Sequence, residues 1–231
     1  MNKPFAALFA SCFAASFAFV SIAGDPPATG TPAVKHEKHE KKEEKKHEAG
    51  AEKGTKAEVG KTAPNFTLKT AAGKDWSLSD AAGKIVVLEW INPNCPVCQR
   101  VMKDGTVATT LKEVTAISPD VVYVAINSSA ADPASLDGTA KYMTDMKMTM
   151  PALLDRDGKV GMTYGAKTTP HCYVIDAKGV LRYQGAIDDN AQGSGAKMNY
   201  VVNAVKQIKA GETVSPDSTK SYGCGVKYAN K

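Results

Sequence analysis

Aromatic residues are scarce, at 7% of the 231 residues, and no basic cluster from Val59 onward is interleaved with them. The formal net charge is only +5. Together these shortages exclude a nucleic-acid-binding surface, which needs concentrated positive charge beside stacking side chains. Cysteine is also sparse. There are five, and only Cys95, Cys98, Cys172 and Cys224 lie beyond the N-terminal segment. Four thiols are too few to be the main source of stability in a domain this long, which has enough chain to build an apolar core. The composition supplies one, with 43% hydrophobic and 23% charged residues. No internal repeat is present.

Only one long apolar run occurs, Phe5 to Ile22, after the basic start at Lys3. With Ser21-Ile22-Ala23 behind it, this run reads as an export signal over residues 1–23, cleaved after Ala23. A retained membrane anchor is the competing reading, but the run is marginal for spanning. Cys12, after Ala10-Ser11, is a weaker candidate for lipidation. Residues 24–57 read as a linker: Pro26, Pro27 and Pro32 open it, and Lys35 to Glu58 carries eight Lys and seven Glu without apolar periodicity. Such a segment buries too little to offset its chain entropy. His36, His39 and His47 belong to this solvated spacer rather than to a metal site.

The folded domain is expected over 58–231. Phe66-Thr67-Leu68 and Trp76-Ser77-Leu78 are short strand candidates. Ile85 to Leu88 and Val121 to Ile126 are continuous apolar runs of the kind buried on both faces of a sheet. Val97, Val101, Leu111, Val114 and Ile117 recur at helical spacing and predict a helix from Pro96 to Ile117, weakened at Gly105 and ended by Pro119. A second helix is predicted over 133–146, capped by Asp132 with Pro133 in its first turn. Met143, Met146, Met148 and Met150 read as core and loop residues in preference to a copper site. Tyr173 to Ile175 and Val180 to Tyr183 predict a hairpin, and Lys197 to Lys209 a last amphipathic helix ended by Gly211. Alternation of this kind implies an α/β domain, a central mixed β-sheet flanked by helices on both faces.

Cys95-Pro96-Val97-Cys98 falls where the first buried strand gives way to a helix. Two cysteines at this spacing can close and reopen a small disulfide ring. Unpaired N–H groups at a helix N-terminus stabilise a thiolate, the attacking species in disulfide exchange, so Cys95 is the expected nucleophile. Export would place it where disulfides persist. Glu89 is a carboxylate on an otherwise apolar strand, which calls for a role or a partner. The functional reading is a proton acceptor for Cys98. The alternative is an ion pair with Lys84 or Lys167.

These residues, with Val59-Gly60-Lys61-Thr62-Ala63-Pro64-Asn65-Phe66-Thr67-Leu68 and the Thr168-Thr169-Pro170 loop, resemble the thioredoxin-like superfamily, in particular its redoxin or AhpC/TSA-like branch. The ending Tyr222-Gly223-Cys224-Gly225-Val226-Lys227-Tyr228 is similar to the tail of a peroxiredoxin-like subgroup. The resemblance implies a thioredoxin-like fold, with Cys98 as the resolving thiol and Glu89 as the buried acid. It also implies a cis Pro170, with Thr169, His171 and Pro96 lining the substrate site. The implied activity is exported, periplasmic thiol–disulfide exchange without a cofactor or metal. Its expected partners are cysteine-containing exported proteins and a thiol protein that supplies or removes electrons. After signal cleavage no stable membrane insertion is expected.

The chain departs from the pattern in two places. Asn94 stands where thioredoxins have Trp. Aligned on Cys98, the peroxiredoxin Pro and Thr positions hold Ile91 and Cys95, which removes the usual hydrogen bonds to a peroxide. A thiol peroxidase is therefore the second reading, and copper delivery through Cys95, Cys98 and His171 the third. Cys172 is expected to be a buried inert thiol. Cys224 stays open between a disulfide with Cys172 and exchange with Cys95, with Tyr222 and Tyr228 as anchors for its tail.

Overall fold

The computed structural model describes residues 56–229, so the expected signal, Cys12 and most of the linker lie outside the described residues. Among the described residues no helix is long and apolar enough to cross a membrane.

The elements follow in the order β1 (Thr67–Thr70), β2 (Asp75–Ser77), a 3-10 turn (Leu78–Ala81), β3 (Val86–Trp90), α1 (Pro96–Lys103), α2 (Thr106–Ile117) and β4 (Val122–Asn127). Then come α3 (Pro133–Asp137), α4 (Thr139–Asp145), β5 (Ala152–Leu154), α5 (Lys159–Tyr164), β6 (Thr168–Thr169), β7 (His171–Ile175), β8 (Leu181–Gly185), α6 (Tyr200–Ala210) and β9 (Cys224–Gly225). Seven strands form one sheet in the order β2-β1-β5-β4-β3-β7-β8. β3, β4 and β5 run parallel, and the flanking pairs are antiparallel, so the sheet is mixed as expected. β6 and β9 form a separate two-stranded ladder.

β3 is buried along its whole length, which explains why its sequence shows no polar alternation. Its residues divide between two cores. Val87, with Ile91 just past the strand, joins Val101, Val107, Val114 and Val201 from α1, α2 and α6 on one face. Val86, Leu88 and Trp90 join Tyr164, Tyr173 and Tyr228 on the other. Met143 and Met150 are buried in the first core, and Met146 and Met148 pack against it, so the methionines fill space.

Three expectations are corrected. The helix expected over 96–117 is two helices, because Gly105 adopts φ 83° and restarts the chain as α2. A left-handed residue cannot continue an α-helix, and the Asp104 carboxylate accepts the exposed Thr106 N–H at 3.0 Å. The helix expected over 133–146 divides at Gly138, although Asp132 caps its start by accepting from the Ser135 N–H as anticipated. The last helix begins only at Tyr200, because Asn199 caps it through the Val202 N–H and bridges to Asp188. β5, α5 and the β6–β9 ladder have no counterpart in the sequence reading. Each is short and lacks a long apolar pattern.

The parallel centre should be the least tolerant part of the sheet. Ile126 is fully buried in β4. Ile126→Ala is expected to cost about 2–5 kcal/mol, read as a lower denaturant midpoint at unchanged slope. A loss below about 1 kcal/mol would mean that the packing around β4 is wrongly described.

Candidate active site

Cys95 is the N-cap of α1, with Pro96 at the first helical position, where a missing N–H loses nothing. The Cys98 N–H points at the Cys95 sulfur at 3.5 Å, and in its thiol form Cys95 donates to the Thr169 carbonyl at 3.0 Å. The Thr169–Pro170 peptide is cis. Thus the structure brings Cys95, Cys98, Pro96, Thr169 and Pro170 together.

The two thiols sit in opposite environments. Hydrogen bonding from Cys98 to its sulfur, above all, lowers Cys95 from the ordinary thiol value of 9.0 to about 4; Cys224, the Cys98 backbone and Thr169 add to this, against the cost of burial. Cys98 is fully buried, and that burial, followed by its interaction with the Cys95 sulfur, pushes it well above 9.0. One sulfur is therefore held as thiolate and its neighbour as thiol.

Glu89 lies on β3 with its side chain on the Cys98 face of the sheet. It is completely buried. Its Oε2 accepts from the Tyr123 hydroxyl at 2.8 Å, while Oε1 has no hydrogen-bond partner. Among the described residues it makes no ion pair with Lys84 or Lys167. Burial raises its carboxyl from 4.5 to about 7, against the opposing Tyr123 bond. Tyr123 was missed in sequence reading. The signal was strand parity: Ala125 pairs with Glu89, and Tyr123, two residues away, shares its face.

Cys172 pairs directly with Glu89 across β3 and β7, is fully buried, and is pushed well above the ordinary thiol value by that burial. His171 pairs with Trp90 and so faces the other side of the sheet. Its Nδ1 contacts the Lys167 N–H and the Tyr173 hydroxyl, each at 3.2 Å, and its ring lies 4.7 Å from Tyr173. Burial lowers it to about 4, a neutral imidazole near neutral pH. The structure does not bring it to Cys95. Cys224 meets Cys95 instead of Cys172.

A polar network, also missed, holds the β3–α1 loop. Asn92 donates to Ser129 at 2.9 Å and accepts from Ser135 at 3.0 Å; its Oδ1 also accepts the Asn94 N–H. Asn94 donates to Asp132 at 2.9 Å. The Asn-Pro-Asn run and the distant Asn127-Ser128-Ser129 run were its visible signs. Among the described residues no group of three or more His, Cys, Asp or Glu side chains is placed to hold a metal ion.

A mixed sheet that presents a CxxC helix N-terminus to a cis-proline loop defines a redox protein of the thioredoxin fold. The model of the AhpC/TSA family matches residues 59–184, more than half of the chain. The chain belongs to that family. It is similar to the thioredoxin-like protein YneN of Bacillus subtilis, with 31% identity over 53% of this chain and 68% of the relative. It is also similar to the thiol-disulfide oxidoreductase ResA of Bacillus thuringiensis subsp. konkukian, with 30% identity over 55% of this chain and 69% of the relative. A crystal structure of a hypothetical protein from Sinorhizobium meliloti shares the fold, with a TM-score of 0.65, 23% identity, and coverage of 77% of this chain and 98% of that one.

Buried Glu89 sets a stability–pH slope. Its folded value near 7 exceeds its unfolded value of 4.5, so its contribution is complete below 4.5 and lost as pH rises through 7. In the disulfide form, where Cys95 does not titrate, stability should fall over that window by on the order of 3 kcal/mol. Glu89→Gln should flatten the slope in denaturant titrations. A wild-type slope equal to that of the variant would contradict this carboxyl's placement.

Proposed function

We propose that the protein is an exported thiol–disulfide oxidoreductase that exchanges electrons with protein cysteines through Cys95 and Cys98. The observation that carries this reading is the pairing of a stabilised Cys95 thiolate with a protonated, buried Cys98 at one helix N-terminus. The names of its relatives YneN and ResA point the same way. Export rests on the Lys3 and Phe5–Ile22 signal pattern.

In the reducing direction the Cys95 thiolate attacks one sulfur of a substrate disulfide, and the other substrate sulfur leaves as a thiolate. Cys98 then loses its proton to Glu89 and attacks Cys95, closing the Cys95–Cys98 disulfide and releasing the second substrate thiol. A partner thiol protein restores the dithiol. The reverse sequence oxidises substrate. Tyr123 orients Glu89 by its hydrogen bond, which leaves the free Oε1 to take the proton. Thr169 and the cis Pro170 offer backbone to an extended substrate segment, and Pro96 shapes the rim. The peroxiredoxin Thr position holds Cys95, so the hydroxyl that would donate to a peroxide is missing, which favours exchange over peroxidase chemistry.

Cys95→Ala should abolish disulfide exchange, whereas Cys98→Ala should accumulate a mixed disulfide between Cys95 and substrate. Glu89→Gln should slow closure on the order of 10²-fold and remove the rate increase that wild type shows as pH rises through about 7. Full exchange activity in Cys95→Ala would overturn the mechanism.

A further inference from the structure

Cys95 is only 2% exposed, although an exchange nucleophile must meet another protein's sulfur. The chain's own tail packs, through Tyr222 and Cys224, against the cluster that holds it. β9 pairs antiparallel with β6, placing Cys224 opposite Thr169 and Gly225 opposite Thr168. The Thr169 hydroxyl donates to the Cys224 carbonyl at 3.4 Å, and the Val226 N–H donates to the Lys167 carbonyl at 3.1 Å. The tail thus fills the strand edge beside the cis-proline. An exposed edge of this kind accepts an extended peptide by main-chain pairing, so the tail and an incoming substrate segment compete for one place.

The tail is seated at both ends. Tyr222 donates to Asp188 and lies under the Arg100 guanidinium, 5.9 Å from the ring centre. At the far end the Lys227 carbonyl accepts the Ala131 N–H at 2.8 Å, and Tyr228 donates to the Ala166 carbonyl at 2.8 Å. Gly223 makes the approach possible. Its φ is 122°, and a Cβ there would lie 2.1 Å from the Thr169 carbonyl oxygen. The result seats Cys224 opposite Thr169, whose carbonyl accepts from the Cys95 thiol at 3.0 Å, and close enough that the Cys95 and Cys224 sulfurs each shift the other's ionisation.

We infer that Cys224 is a third redox thiol, docked as an internal substrate on the edge that external substrates use, and that it exchanges with Cys95. This rests on the exchange chemistry proposed above. Starting from the Cys95–Cys98 disulfide, the Cys224 thiolate attacks the Cys95 sulfur. The Cys95–Cys98 bond breaks, the Cys95–Cys224 bond forms, and Cys98 leaves as a thiolate that takes up the proton Cys224 gave up. One disulfide is kept throughout, so no outside oxidant or reductant enters the step. In the Cys95–Cys224 state the tail is locked over the site. External substrates meet Cys95 only when this bond is open and the tail is displaced.

The test uses the full chain carrying Cys98→Ser, equilibrated with oxidised glutathione, digested without reduction and mapped by mass spectrometry. The expected product is the Cys95–Cys224 disulfide. Glutathione on Cys95 with Cys224 still alkylatable would overturn the internal exchange but leave the exchange function standing. No disulfide of either kind at Cys95 would overturn both. Adding Gly223→Val in the same background should replace the internal bond by the glutathione adduct. In the reduced Cys98-containing protein, Gly223→Val should speed Cys95 alkylation by about tenfold or more, as expected when a local opening step is removed. An unchanged alkylation rate, or an internal bond that survives Gly223→Val, would overturn strand docking.

Discussion

The antiparallel register of β3 on β7 sets both halves of the site. Pairing Glu89 with Cys172 and Trp90 with His171 decides which side chains face α1 and which face the Tyr164–Tyr173 core. It also carries the chain into β7 through Thr169–Pro170, which brings the Thr169 carbonyl to 3.0 Å from the Cys95 sulfur. A slip of one residue would turn Glu89 to the opposite face and leave Cys98 without a proton acceptor. Full burial of β3 and β7 makes such a slip costly, because every apolar side chain on them would change sides.

Within that frame, three groups divide the proton chemistry by position alone. Cys95 accepts a hydrogen bond from the Cys98 thiol, with the Cys98 backbone at the helix N-terminus adding to it, and is held as thiolate. Cys98, one turn further in, has burial and a neighbouring sulfur, and is held as thiol. Glu89 is as completely buried as Cys98, and that burial, against the Tyr123 bond, sets it near 7. The order lets the attacking sulfur be ready before the resolving one, which has to be deprotonated on demand.

Much of this was readable in the residues. The apolar runs that became β3 and β4, the Cys95-Pro96-Val97-Cys98 box, the Thr169–Pro170 loop and the out-of-place Glu89 each break or keep a pattern that one sequence displays. The divisions at Gly105 and Gly138 were harder, since a glycine inside a helical pattern weakens it without saying whether it ends it. His171 shows the limit of adjacency: it follows Pro170 in the chain, yet strand alternation sends it to the other face. The tail was legible least. Cys224-Gly225 has no period to read, and its place beside Cys95 comes from pairing with a two-residue strand far away in sequence.

The central claim is the order in which the sulfurs ionise. It is tested most directly by NMR titration of the cysteine Cβ resonances in the reduced protein. The account predicts that Cys95 ionises first, with a midpoint near 4, and that Cys98 remains a thiol until well above 9.0. Ionisation of Cys98 before Cys95, or two thiols that both titrate at the ordinary value, would contradict it.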